Sequence, residues 1–181
     1  DYLKNEQEIK ERISVVFDEL PFHDIFTAKD MARIFEGIYP QWDNAVYTQY
    51  LDRFVLPKNK KIGEFSKGMK MKLQIACALS HNAELLIMDE ATTGLDPVVR
   101  DEILHIFMEY LRDGERSILM SSHITSDLEK IADSVTFIDK GRLLISGYKD
   151  DILESHGILK CDKAEIKNID TEDIVSIRMN S

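Results

Sequence analysis

The chain has 181 residues, which suits one domain with a small appendage and allows a sizeable buried core. Apolar residues make up 44%, with 8 Gly and 4 Pro, and this composition excludes a mainly disordered chain. The net charge of -10 argues against broad nucleic-acid binding, so no nucleic-acid partner is expected. The two cysteines, Cys77 and Cys161, lack metal-type spacing and are typical of a reducing compartment.

The first predicted element is a strand over residues 13–17, which are β-branched and aromatic apart from one serine. Thr27 and Asp30 then resemble a capping box, and the apolar spacing after them predicts a helix. A second helix is predicted over about residues 43–54. Because two consecutive helices interrupt the alternation of strands and helices, residues 22–82 are predicted to form a helical insert.

Ser66 is a good N-cap for a third helix that ends near residue 79. The unbroken apolar run 85–88 predicts a strand buried on both faces of a parallel sheet. Asp96 followed by proline predicts the start of another helix. Residues 117–122 predict a second buried strand.

Strands and helices alternate from residue 83 to residue 138, which predicts a parallel sheet with helical crossovers. A hairpin over about 135–145 and a short helix over 150–155, closed by Gly157, are predicted next. The last stretch is weakly patterned, apart from a predicted strand at 174–178.

Polar side chains follow two strands of the predicted sheet. Asp89 and Glu90 come after the first of these strands, and His123 comes after the second. Ligands of such sheets bind beyond the carboxyl ends of the strands. One carboxylate could hold Mg²⁺ through water, the other could deprotonate an attacking water, and the histidine could donate to a phosphate oxygen. Taken singly, each residue also has an ordinary structural interpretation.

The start of the helix after Ser66 is a candidate phosphate cradle. Its free N–H groups and the helix dipole make this end positive, and Gly68 permits close backbone approach. Six lysines and one acid, Glu64, lie between residues 58 and 72. These lysines fit either an anion site or a solvated surface, and Ser66 fits either a ligand contact or a plain N-cap.

Four segments, taken in order, resemble the signature motif, Walker B strand, D-loop and switch histidine of the ATP-binding-cassette family. They are Phe65-Ser66-Lys67-Gly68-Met69, Leu85-Leu86-Ile87-Met88-Asp89-Glu90, Thr93-Gly94-Leu95-Asp96 and His123. The resemblance covers about 13–147 and is closest to subunits that pair with ABC-2-type permeases of bacterial exporters. It implies an α/β fold, a partial P-loop NTPase core in three layers with a helical subdomain at about 22–82. Residues 1–147 would be the C-terminal part of the ATPase domain, and 148–181 a small, truncated extension.

The resemblance also implies ATP and Mg²⁺ as cofactors. Asp89 would hold Mg²⁺ through water, and Glu90 would be the general base. His123 would contact the γ-phosphate, and Asp96 would communicate across a dimer of two cassettes. Three signature residues would contact a nucleotide bound mainly by the other subunit: Ser66, Lys67 and Gly68.

The chain departs from the family pattern in three places. Lys67 and Met69 replace glycine and glutamine of the signature Leu-Ser-Gly-Gly-Gln, and lysine leaves the backbone less free. Asp18 stands where the Q-loop glutamine is expected and is a second candidate for reaching Mg²⁺ through water. No Gly-x-x-x-x-Gly-Lys-Ser/Thr run occurs, so the main grip on the β- and γ-phosphates is missing. Truncation is the expected reason, and this chain alone is expected to be inactive.

The parent protein is expected to be an ATPase that drives a separate membrane permease. It would lie in the cytoplasm, peripheral to the inner face of the cell membrane, with a second cassette subunit as its dimer partner. Four aromatic residues of the insert suit the gripping of a permease coupling helix: Phe22, Trp42, Tyr47 and Tyr50. Two alternatives stay open, a soluble cassette ATPase that acts on ribosomes or DNA and a non-enzymatic interaction module. A response-regulator-like domain with Asp89 as phospho-acceptor would leave residues 92–97 without a role.

Overall fold

The computed structural model describes residues 5–157. The chain divides into two compact units, with the boundary after Ala132. The first unit contains a parallel sheet and helices, and the described part of the second contains a hairpin and a short helix. No helix among the described residues is long and apolar enough to span a bilayer.

Three parallel strands form the sheet of the first unit, in the order β1 (Ile13–Val16), β2 (Leu85–Asp89) and β3 (Ser117–Ser121). These are the three predicted strands, with ends that differ from the prediction by one residue. Asp89, the last residue of β2, lies opposite Ser121 of β3. The carboxyl ends of β2 and β3 therefore meet at one edge of the sheet, as parallel pairing requires.

The two faces of this sheet differ in burial. Val16, Leu86 and Met88 are at most 1% exposed and belong to the core cluster. On the opposite face, Val15 is 44% exposed and Leu119 is 62% exposed. The prediction of strands buried on both faces is therefore met on one face only within residues 5–157.

Three α-helices lie between β1 and β2, and all three were predicted. They are α2 (Ala28–Ile38), α3 (Asn44–Arg53) and α4 (Lys67–Leu79). The predicted capping box begins α2, because the side chains of Thr27 and Asp30 each accept from the other's backbone N–H. A further short helix, α1 (Glu6–Glu11), precedes β1 and was not predicted.

Helix α4 lies at the centre of the core, and all of its residues from Leu73 to its end are buried. Helix α5 (Pro97–Tyr110) contributes five more buried side chains: Ile103, Leu104, Ile106, Phe107 and Tyr110. As predicted, α5 begins after Asp96, whose carboxylate accepts the N–H groups of Val98 and Val99. Helix α6 (Thr125–Ile131) follows β3. The buried residues of α4 and α5 thus share one core with those of β1 and β2.

The second unit contains the predicted hairpin, with β4 (Ser134–Asp139) antiparallel to β5 (Arg142–Tyr148). Lys140 and Gly141 form its two-residue turn, and both have positive φ angles of 48° and 74°. Positive φ at both central residues is the geometry that suits the twist of a tight hairpin.

Helix α7 (Lys149–Ser155) follows the hairpin, close to the predicted range. His156 after it is extended, with φ of -125°. Gly157 therefore does not close this helix, and that prediction was wrong. The strand predicted at 174–178 lies outside the described residues.

Candidate functional site

Three of the predicted site residues meet at the carboxyl edge of the parallel sheet. Asp89 ends β2, Glu90 follows it, and His123 lies two residues beyond β3. The His123 ring nitrogen Nδ1 is 2.7 Å from Glu90 Oε2. The alternation of strands and helices predicts that these residues share one edge, and the structure confirms it.

The backbone of Glu90 is strained. Its φ of 50° lies in the left-handed region, which costs a non-glycine residue on the order of 1–3 kcal/mol. The Glu90 N–H donates to the backbone oxygen and the hydroxyl of Ser121, each at 3.2 Å. The Thr93 hydroxyl donates to the Glu90 carboxylate. The turn and these partners together fix the carboxylate beside the end of β3.

Ser121 also lies at this edge, although no sequence motif pointed to it. Its hydroxyl donates to Asp89 Oδ1 at 2.6 Å while accepting from the Glu90 N–H. One hydroxyl therefore contacts both the Asp89 carboxylate and the backbone of Glu90. The signal that could have found it is the parallel register, which places Ser121 directly opposite Asp89.

The edge fits Mg²⁺ better than a metal held by protein alone. Among residues 5–157 there is no group of three or more His, Cys, Asp or Glu side chains able to hold a metal ion. Mg²⁺ commonly takes one or two carboxylates and completes its shell with waters and substrate phosphates. Asp89, oriented by Ser121, is the residue at this edge that matches such an arrangement.

The start of α4 holds the signature residues. Ser66 Oγ accepts from the Met69 N–H at 3.2 Å, which is the plain N-cap that the sequence analysis gave as its alternative. Lys67 lies inside the helix, so lysine at this position causes no backbone strain. Its ammonium is 2.8 Å from Asp18 Oδ1, and it also lies beside Gly94 of the loop before α5. Asp18 thus joins the signature residues through Lys67.

Nothing among residues 5–157 accounts for glycine at position 68. A Cβ added to Gly68 would meet Val99 of α5 at 3.6 Å, which is an ordinary van der Waals distance. Asp96, by contrast, is accounted for as the N-cap of α5. The absence of a side chain at Gly68 leaves the backbone at the start of α4 open to close approach from outside.

Most of the lysines between residues 58 and 72 are neutralised within the chain. Five of the six pair with carboxylates at 2.7–4.0 Å: Lys58 with Asp52, Lys60 with Glu64, Lys67 with Asp18, Lys70 with Asp24, and Lys72 with Glu102. This pairing favours the solvated-surface interpretation for the segment. The N-terminus of α4 therefore remains the candidate anion site in this segment.

The first unit also contains a cavity of about 850 Å³, lined by α1, β1, α2 and α4. Its lining is mainly apolar and aromatic, and includes Phe22, Phe35, Tyr39 and Cys77. His81 lines it as well and is 1% exposed, and burial lowers the pKa of its imidazole. Tyr47 has no place in this lining, because it is 2% exposed and donates its hydroxyl to the Ala28 carbonyl at 2.9 Å.

Comparisons with known proteins point to one family. The profile of the ABC transporter family matches residues 1–93. The ABC transporter ATP-binding protein NatA of Bacillus subtilis (strain 168) is 34% identical over 161 residues, which cover 86% of this chain and 65% of NatA. The bacitracin transport ATP-binding protein BcrA of Bacillus licheniformis is 35% identical over 146 residues, 80% of this chain and 48% of BcrA. The chain thus spans about half to two thirds of the length of these relatives.

Solved structures show the same fold. An ATP-binding subunit of an ABC transporter superimposes with a TM-score of 0.73 at 26% identity, covering 84% of this chain and 65% of that one. A dimeric ATP-binding cassette in a post-hydrolysis state, bound to ADP and Pi, superimposes with a TM-score of 0.70 at 16% identity, covering 82% and 67%. The predicted α/β fold of P-loop NTPase type is therefore confirmed. With a family profile that matches half of its length, the chain belongs to the ABC transporter family, among the ATP-binding subunits.

Proposed function

We propose that this chain is part of an ATP-hydrolysing subunit that drives a separate membrane permease. The observation that carries the proposal is the contact between Glu90 and His123 beside Asp89, at the carboxyl edge of the sheet. Residues 1–147 would belong to the ATPase domain, with its helical subdomain at about 22–82, and 148–181 would be an extension.

In the proposed reaction, bound Mg²⁺ would neutralise charge on the phosphates, with Asp89 holding it through water. Glu90 accepts the proton of the attacking water, while Thr93 and His123 keep its carboxylate in place. Because Nδ1 of His123 faces Glu90, its Nε2 is the nitrogen that would donate to the γ-phosphate. Asp18 is a second acid for the Mg²⁺ shell.

The start of α4 would act on a nucleotide held mainly by a second subunit. The open backbone at Gly68 and the positive end of the helix suit a phosphate. Ser66 would add its hydroxyl, and Lys67 would exchange its contact with Asp18 for one with phosphate. Asp96 would pass the state of one site to the other across the dimer.

A permease is the proposed membrane partner, which would place this subunit at the cytoplasmic face of the membrane. The apolar cavity of the first unit, with Phe22 in its lining, has the chemistry to hold a short helix of such a partner. Tyr47, which was expected to contact a coupling helix of the permease, is buried in the core and is not proposed for that role. Co-purification with an integral-membrane protein supports this role, whereas co-purification with ribosomes supports the soluble alternative.

By itself the chain should neither bind Mg-ATP tightly nor hydrolyse it, because it has no Gly-x-x-x-x-Gly-Lys-Ser/Thr run. Isothermal titration of the 181-residue chain with Mg-ATP tests this point. A micromolar dissociation constant would refute it. A version extended upstream of Asp1 to include a phosphate-binding loop should release phosphate from ATP, and failure to do so would refute the proposed function.

A further inference from the structure

One buried side chain of α4 grips the backbone where β1 ends. Gln74 is 4% exposed. Its carboxamide oxygen accepts from the Phe17 N–H at 3.1 Å, and its nitrogen donates to the Phe17 carbonyl at 3.0 Å. Both hydrogen bonds go to a single residue, which immediately precedes Asp18.

Phe17 lies just beyond the end of the ladder between β1 and β2. The last residues paired in this ladder are Val16 and Met88. At that point Gln74 supplies both a donor and an acceptor, as a neighbouring strand would. A buried carboxamide must find partners, and this one uses both of its polar atoms on the backbone that leads into Asp18.

Two ion pairs extend the same contact along the face of α4. Lys67, Lys70 and Gln74 are spaced as i, i+3 and i+7, so they lie on one face of the helix. Lys67 pairs with Asp18 at 2.8 Å, and Lys70 pairs with Asp24 at 3.1 Å. These side chains are between 30% and 70% exposed, and exposed pairs contribute little to stability. Of these three side chains, the buried Gln74 is therefore the one that holds the loop in place.

We propose that Gln74 is a positioning residue, which holds the backbone of Phe17 and thereby fixes the place of Asp18 relative to Lys67. The loop 17–24 and the N-terminal half of α4 then move as one body. The inference rests on the proposed function in one respect, that Asp18 serves the Mg²⁺ shell. The hydrogen bonds themselves can be tested without any nucleotide.

The first test measures amide hydrogen exchange of Phe17 in the 181-residue chain. Gln74→Met keeps the length of the side chain but removes both bonds, so the Phe17 amide should exchange about fivefold faster, as expected for a net loss of about 1 kcal/mol. Gln74→Glu keeps an acceptor for that N–H but loses the donor to the Phe17 carbonyl, so its acceleration should be smaller than that of Gln74→Met. Tyr110→Phe, which removes a buried hydrogen bond to the Ala83 carbonyl, is the matched control and should leave Phe17 unchanged.

Two results would overturn the proposal in this test. One is an unchanged Phe17 amide in Gln74→Met, and the other is an equal acceleration in Gln74→Met and Gln74→Glu. The second would show that general destabilisation, and not the hydrogen bond, governs exchange at this position.

The second test uses the upstream-extended protein and measures the Mg²⁺ concentration that gives half-maximal ATP hydrolysis. Gln74→Met should raise it about fivefold, the factor set by the same loss of hydrogen bonding, while Tyr110→Phe should not. If Gln74→Met and Tyr110→Phe needed the same Mg²⁺ concentration, Gln74 would have no effect on the proposed role of Asp18 in the Mg²⁺ shell. If the extended wild type hydrolyses no ATP, the proposed function fails, whereas the exchange result still decides the role of Gln74.

Discussion

Replacing Glu90 by glutamine tests the proposed general base with little disturbance of the fold. Glutamine has the size of glutamate and keeps an acceptor oxygen for the Thr93 hydroxyl, but it cannot accept a proton from water. A positioned general base contributes roughly 10²–10⁴-fold to a rate. The hydrolysis rate of the upstream-extended protein should therefore fall by roughly 10²–10⁴-fold. At about 1.4 kcal/mol per tenfold, this is a rise of about 3–5.5 kcal/mol in the activation free energy.

The structure also limits what the same substitution can do to stability. In the contact between Glu90 and His123, the side chains are 31% and 66% exposed. Exposed ion pairs contribute about 0–1 kcal/mol, so the free energy of unfolding should change by no more than about that amount. A loss of activity above a hundredfold then cannot be attributed to unfolding.

The assay is single-turnover phosphate release, with nucleotide-dependent dimerisation followed by size-exclusion chromatography. Glu90→Gln should lose hydrolysis but keep dimerisation. Glu109→Gln is the matched control, because Glu109 is also an exposed carboxylate in an ion pair, with Arg53, outside the candidate site. Hydrolysis by Glu90→Gln within twofold of this control would refute the assignment of Glu90 as the base.

Three further predictions concern the fold. Leu86→Ala, at a position with 0% exposure, should lower the free energy of unfolding in urea by about 2–5 kcal/mol. Hydrogen bonds from Thr27 lower the pKa of the Asp30 carboxyl, so its stabilising effect is complete above the unfolded pKa of about 3.9 and is lost as pH falls through the lower folded pKa. The stability gap between wild type and Asp30→Asn should accordingly be full at pH 6 and shrink below about pH 4, and a gap that widens in acid would contradict this. Burial raises the pKa of the Cys77 thiol to about 12, so roughly one Cys77 side chain in ten thousand is a thiolate at pH 8. In a Cys161→Ser variant, a thiol reagent at pH 8 should therefore react with Cys77 only when the protein unfolds.

Much of the fold was predictable because its signals are local. The capping box at Thr27, the N-caps at Ser66 and Asp96, and the apolar runs of the three strands each depend on residues within a few positions. Strand alternation then predicted that acids and a histidine would share one edge. The end of α7 was mispredicted at Gly157, because glycine closes a helix only where the backbone turns left-handed, and here the helix ends in extended backbone at His156.

The sequence by itself determined the family, the element order and the residues Asp89, Glu90 and His123 as a candidate site. These follow from local spacing and from the rule that parallel strands end at a common edge. Only the tertiary structure decided the partners: Ser121 between the two acids, Asp18 on Lys67, and the carboxamide of Gln74 on Phe17. Each of these contacts joins residues between 31 and 57 positions apart. No periodicity within one element encodes such a meeting, because it depends on the register of strands and on the packing of a helix against a loop.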